Sequence, residues 1–400
     1  MTRALALAAA LCLLCATASA QQSNPIMENY RAYQSALERD DLAAAEASAA
    51  AAFEAAEAAS DARTGALAQN LATVRFLRGD AAGAIAPAQR AVALAESNAA
   101  EPLTLALARL VLARAELSTG AVNAAEHLTG ALDGAQSASA PAYEIYDAAV
   151  QLATWAQTNE QYELALRGWS SADQYAEGSR FPEQYARARA KLGRATSLVL
   201  EQSRTRAGRA YDEAAMTEAY LELRESYRLL YSYASQQLPS GELTTAQQTA
   251  AQVLAWSAVV RSKMRADGTP LPASAGAQGD ADGLSEELSE PQALTVPRCM
   301  VRPAFHREIE YPSGAASRGE LAGAAVLLRI NAAGEVESTT VVALVGAEEF
   351  REAIEEARWL VVRRPDSAEG CRMEMNVIWT VAFRLDGPTI PPRSRTRRPN

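Results

Sequence analysis

Met373-Glu-Met-Asn-Val-Ile-Trp-Thr-Val-Ala-Phe-Arg-Leu385 alternates along its whole length. Met373, Met375, Val377, Trp379, Val381, Phe383 and Leu385 share one face; Glu374, Asn376, Ile378, Thr380, Ala382 and Arg384 share the other. A period of two, rich in β-branched and aromatic residues, predicts a strand with one buried face. Before about residue 265 the chain reads as helical, so this strand belongs to a separate carboxy-terminal module. Function is expected in what that module binds rather than in a reaction it catalyses.

Working back from the strand, Tyr311-Pro312 leads into a short helix-like turn, and a strand is predicted from about Gly323 to Ile330. Asn331-Ala332-Ala333-Gly334 reads as a hairpin turn, with Gly334 free to adopt positive φ. A second strand runs from Val336 to Val345. Glu348 to Arg358 then forms an amphipathic helix presenting Phe350, Ala353, Ile354 and Ala357 to one side. Trp359 to Val362 leads through Pro365 and Gly370 into the final strand. Three antiparallel strands with a helix across one face make a minimal α+β layer.

The helical part, residues 21–265, repeats itself. Arg39-Asp40-Asp41, Arg78-Gly79-Asp80, Thr119-Gly120-Ala121 and Thr158-Asn159-Glu160 are turn signals about 40 residues apart, followed by Ala45, Ala84, Ala125 and Ala165. Leu71-Ala72, Leu112-Ala113 and Leu152-Ala153 precede the last three. Small residues at such places let antiparallel helices approach closely. The pattern resembles the tetratricopeptide repeat, although its spacing exceeds the usual 34 or so. The first unit has Ala32-Tyr33 where leucine-small is expected, and Phe181 to Gln237 keeps little of the pattern. Glu242 to Arg265 reads as a capping helix, since a solenoid needs a polar end. A spacer or dimerisation scaffold and a concave groove for a peptide or protein both fit such repeats. His127 reads as a surface or packing residue, and Tyr211, Tyr220, Tyr227, Tyr231 and Tyr233 as helical core packing or a partner-facing patch.

Residues 266–296, rich in Gly, Pro, Ala, Ser and Asp, read as a flexible linker of about 30 Å typical span, enough for the two halves to move independently. Residues 297–390 form the module, and 391–400 a basic disordered tail with Arg393, Arg395, Arg397 and Arg398. At the other end, residues 1–20 read as a signal peptide. Arg3 opens it, Ala4 to Cys15 is its apolar core, and Ala18-Ser19-Ala20 places cleavage between Ala20 and Gln21. The alternative is an uncleaved segment anchoring the chain in the inner membrane. Cleavage leaves Cys299 and Cys371, which bracket the module and permit one intramolecular disulfide in an oxidising compartment.

Composition narrows the function. The 49% apolar content supports a sizeable core. A net charge of −10 argues against nonspecific nucleic-acid binding, which needs a basic footprint. No phosphate loop, nucleophile elbow or His-Glu metal motif stands in the sequence, so no catalytic residue, cofactor or metal ligand is assigned and the chain is not expected to be an enzyme. His306, beside Glu308 and Glu310, reads as part of a solvated face.

As an ordered set, Tyr311-Pro312, Gly319-Glu320, Gly323, Gly334 with Val336, Phe350, the Ala353–Ala357 helix, Trp359, Pro365 and the alternating last strand resemble the TonB carboxy-terminal domain. The resemblance implies a periplasmic module of the TonB-dependent transport system that binds a segment of an outer-membrane transporter, or another envelope protein, by β-strand addition. It places partner binding at Tyr311, Pro312, Arg372, Glu374, Asn376, Ile378 and Thr380. Members that transduce energy carry an uncleaved amino-terminal helix and a proline-rich spacer, where this chain has a signal and helical repeats. An envelope scaffold or adaptor with a TonB-like fold and no part in energy transduction is therefore the alternative.

Overall fold

The computed structural model describes residues 24–205, 212–234, 236, 238–266, 299, 301–305, 309–318, 322–365, 367 and 369–383. The expected signal segment, Tyr211, His306, Gly319-Glu320, the expected linker beyond Ala266 and the expected basic tail lie outside these residues. The described chain is mostly helical, with a small antiparallel sheet near its carboxy terminus. It divides into two compact units, Met1–Leu152 and Ala153–Asn400.

In the first unit, α1 (Pro25–Glu38), α2 (Leu42–Ala58), α3 (Thr64–Leu77), α4 (Ala81–Ser97) and α5 (Pro102–Thr119) each pack on the next, the last of them on α6 (Ala124–Ser137), and α7 (Ala142–Thr158) begins. The turns share one device. Asp40, Ser60, Gly79, Ala99, Gly120 and Ser139 all have positive φ, as does Glu160 after α7. At each, the following N–H donates back to a carbonyl of the last turn: Asp41 to Ala36, Asp61 to Ala56, Asp80 to Arg75 and Ala121 to Glu116. This Schellman closure satisfies carbonyls the helix end would otherwise orphan. Asp41 and Asp80 then cap the next helix, accepting from the N–H of Ala44 and Gly83.

Alanine fills the space between these helices. Ala45, Ala49, Ala52 and Ala56 on α2 and Ala84, Ala88, Ala91 and Ala95 on α4 are buried at helical spacing. The third repeat departs from the expected register: Ala124, not Ala125, is buried, because α6 starts one residue after Asn123 in a left-handed conformation. His127 is exposed, with Nδ1 2.8 Å from Glu116 Oε2.

In the second unit, α8 (Tyr162–Gln174) packs on α9 (Glu183–Thr205), α9 on α10 (Glu213–Ala234), and α10 on α11 (Ser240–Ala266). Tyr220 and Tyr227 pack against this core, Tyr233 is buried, and Tyr231 is exposed. The Tyr233 hydroxyl donates to Glu242 at 2.7 Å, and burial beside that carboxylate pushes its pKa up to about 12.

The remaining elements are β1 (Val301–Phe305), α12 (Ser313–Arg318), β2 (Ala322–Ile330), β3 (Val336–Val345), α13 (Glu349–Glu355), β4 (Trp359–Arg363) and β5 (Met375–Phe383). The main sheet has the order β3-β2-β5, antiparallel throughout, and β1 with β4 forms a second, two-stranded ribbon. The Asn331–Gly334 turn is as expected, with Gly334 at φ 83° and Asn331 Oδ1 accepting from the Glu335 N–H. The sequence pattern predicts neither strand of the ribbon. They are short, and Pro303 interrupts the pattern of β1. Cys299 and Cys371 are disulfide-bonded, Cα–Cα 4.9 Å, in an apolar cluster with Val301, Ile330, Met375 and Val377.

Two expectations are corrected by α11. It is not a polar-ended cap: Ala250, Val253 and Val260 face the helical core, while Ala251, Leu254 and Ala255 pack with Ala325, Ala343 and Ile378 of the sheet. A helix apolar nearly all round is a buried helix. Nor is the sheet a freely tethered body, since it shares this core with α11. Small strand residues permit the approach: a Cβ on Gly323 would lie 2.7 Å from the Ala255 carbonyl oxygen. The compact division falls at residue 152 rather than at the linker because α11 and the sheet pack together.

Candidate functional site

The strand whose period of two stands out in the sequence is an edge strand. β2 is central, leaving one side of β5 and one side of β3 without a strand neighbour among the described residues. The faces of β5 follow the alternation. Val381 and Phe383 join Phe350, Ile354 and Trp359 in one core, with Trp379 packed against it, while Met375 and Val377 line the cluster around the disulfide. The expected solvent face is partly covered, because α11 lies across it. Ile378 is 4% exposed. The Thr380 hydroxyl accepts from Arg261 Nη2 at 3.3 Å, and only Asn376 of this row within β5 is fully exposed.

The two edges differ. β3 carries register shifts opposite Ala325/Val326 and Arg329/Ile330, bulges that break the flat ladder a second strand would need. Helix α13 guards it further. Arg351 Nη1 donates to the Val341 carbonyl at 2.8 Å, and Glu355 Oε1 accepts from the Val341 N–H at 3.4 Å. Both backbone groups of one β3 residue are thus taken by side chains. β5 pairs with β2 without a shift from Met375↔Ile330 to Phe383↔Ala322. Every second residue of such an edge strand directs its N–H and C=O away from the sheet, where another strand can pair.

The expected partner-binding residues do not form one patch. Arg372, Glu374, Asn376, Ile378 and Thr380 follow β5 and its approach. The Arg372 carbonyl accepts from the Cys299 N–H at 2.9 Å, so chain already lies beside that end. Arg372 Nε is buried without a partner among the described residues. Tyr311 packs edge-on against Phe350 and Phe383, with centroids 5.1 and 5.8 Å away, and so holds the end of β5 in the core. Pro312 stands half-buried before α12. The α13 guard on β3 went unread in the sequence; its signal is the i, i+4 pair Arg351 and Glu355 on the helix after a hairpin.

Among the described residues, no cluster of His, Cys, Asp and Glu could hold a metal ion, and no helix is long and apolar enough to cross a membrane. No protein-family model matches this chain. No curated protein matches it. Among solved structures it is similar to the crystal structure of BtubC (BKLC) from P. vanneervenii, at 15% identity over 67% of this chain and 100% of that one, with a TM-score of 0.35. A likeness at that score carries no argument about fold or function.

Proposed function

We propose that this is an exported, periplasmic binding protein whose carboxy-terminal module takes an extended segment of an outer-membrane transporter, or another envelope protein, onto β5. One observation carries the reading: of the two sheet edges, β3 is bulged and capped by Arg351 and Glu355, while β5 pairs without a shift from Met375 to Phe383 and has no such cap among the described residues. Backbone pairing supplies much of the affinity in strand addition, and pockets for alternate side chains supply selectivity. The TonB-like sequence pattern sets the binding in TonB-dependent transport. The helical turns spaced about 20 residues apart, with alanine between the helices, support a tetratricopeptide-like solenoid in which each unit contacts its neighbours.

A peptide from a transporter's periplasmic amino terminus, titrated into the labelled protein, tests this. Alternate amides of 375–383 should become protected from exchange. Asn376→Val should bind nearly as well, and Thr380→Pro poorly while circular dichroism shows it folded. Shifts confined to the helices, with β5 untouched, would exclude strand addition.

A second reading is favoured by α11. A module that shares its core with a helix, through Ala255, Ala325 and Ile378, suits an envelope adaptor better than a mobile energy transducer. Deleting the gene separates the two: loss of TonB-dependent uptake supports transport, and an envelope defect with uptake intact supports the adaptor.

A further inference from the structure

The second unit contains a cleft of about 590 Å³, away from the β5 edge, walled by α7, α8, α9, α11 and the end of β3. Its lining residues include the aromatic Trp169, Tyr185 and Trp256, the amide-bearing Gln157 and Gln252, and Arg189. That volume lies within the range of small-molecule sites.

Helix α9 separates its cations by face. Arg187, Lys191 and Arg194 lie at helical spacing on one side, and each has carboxylate partners. Arg187 pairs with Glu183 and Asp173, Lys191 with Asp173 and Glu222, and Arg194 with Glu218 and Glu222. Tyr185, Arg189, Gly193 and Thr196 lie on the side that lines the cleft. Arg189, half-buried there, makes no hydrogen bond or ion pair among the described residues, and the lining holds no Asp or Glu. In a chain of net charge −10, an arginine lining an aromatic cleft without a carboxylate partner among the described residues is a cation open to an anionic ligand.

The wall beside it is a fitted one. Trp169 is 5% exposed, and its ring lies against the Gly193 backbone so closely that a Cβ there would come within 2.2 Å of it. The Trp169 indole N–H is buried without an acceptor among the described residues, so the wall holds an unused donor as well as an unused cation.

We infer that this cleft binds a small organic acid: one carboxylate on Arg189, with an attached aromatic or broad apolar group between the rings of Trp169, Tyr185 and Trp256. Guanidinium pairs a carboxylate through parallel N–H donors, and the rings supply apolar area around it. This inference is independent of strand addition, because none of the cleft residues belongs to β5.

The test uses indole-3-acetate and phenylacetate, each beside its uncharged primary amide, with the full chain, by ligand-detected NMR and calorimetry. The acids should bind at least about tenfold more tightly than their amides, as expected for a charge-assisted pair. Arg189→Gln should bring the acids down to the level of the amides while melting like the native protein, since Arg189 has no partner to lose. Gly193→Ala should weaken acid and amide together by displacing Trp169. Equal binding of acid and amide, no binding of either acid, or an Arg189→Gln variant that binds the acids as well as the native chain would each overturn the inference.

Discussion

Arg75 Nη1 donates a hydrogen bond, at 3.1 Å, to the carbonyl of Gly83, the carbonyl that Pro87 leaves without its helical partner. A proline inside a helix cannot donate to the carbonyl four residues back. In α4 the neighbouring helix supplies the missing donor. Glu46 holds Arg75 in place through Nε at 3.0 Å and also pairs with Arg78. Arg75→Met should therefore cost about 1.5–3 kcal/mol, the range for hydrogen bonds to charged groups. In a Pro87→Ala background the helix regains a backbone N–H that can bond the Gly83 carbonyl itself. There the same change should cost about 1 kcal/mol less. Urea melts of the four proteins give the coupling directly; equal costs in both backgrounds would show that Arg75 does not repair the helix.

The left-handed turn residues make a second expectation. Gly79 has φ 85° and nothing within 4 Å of where a Cβ would sit, so Gly79→Ala tests backbone strain alone. It should cost about 1 kcal/mol, since an L-residue in that conformation loses roughly 1–2 kcal/mol and regains part through a less flexible unfolded chain. Ala99, at φ 47°, should show the reverse, with Ala99→Gly stabilising by about 0.5–1 kcal/mol. Thermal melts that move both variants in the same direction would break this account.

The Cys299–Cys371 bond closes a separation of 72 residues. In the chain-entropy model, a loop of that size stabilises by about 4 kcal/mol. Replacing both cysteines by serine should lower stability by up to that amount, read from denaturant melts under oxidising conditions. Two freely alkylated thiols in protein taken from an oxidising compartment would show that the bond does not form there.

How much of this was legible follows from where the periodic signals were strong. The period of two in β5 placed the module, and Gly334 and Asn331 placed its hairpin. The turns at Asp40, Gly79, Gly120 and Glu160 were visible because each interrupts a helical pattern. Strand β1 was not, because five residues containing Pro303 give no period to count. The docking of α11 was missed for another reason. Its apolar residues serve two neighbours at once, so its pattern resembled a terminal helix rather than an amphipathic one. The matching signal lay on the strand, in Gly323 and Ala325, small residues facing Ala251 and Ala255. Gly323→Val should accordingly overpack this junction and cost about 1–3 kcal/mol, measured by thermal melting. A variant as stable as the native chain would mean that α11 does not press on the sheet there.

The last prediction concerns the guarded edge. If Arg351 and Glu355 keep β3 from pairing by occupying the Val341 carbonyl and N–H, removing both should open the β3 edge in addition to the β5 edge, which has no strand neighbour among the described residues. Two open edges on one molecule differ in kind from a single one. The β3 edge of one copy could then add to the β5 edge of the next, a head-to-tail contact that need not close. Arg351→Ala with Glu355→Ala should therefore give self-association that rises with protein concentration in sedimentation velocity, while circular dichroism stays native. The bulges opposite Ala325/Val326 and Arg329/Ile330 remain in that variant and will limit the association to weak affinity. Adding Thr380→Pro, which blocks the β5 side, should return the protein to monomer if both edges take part. A double variant that stays monomeric across the same concentrations would show that the bulges alone protect β3, and that the α13 side chains do not act as its guard.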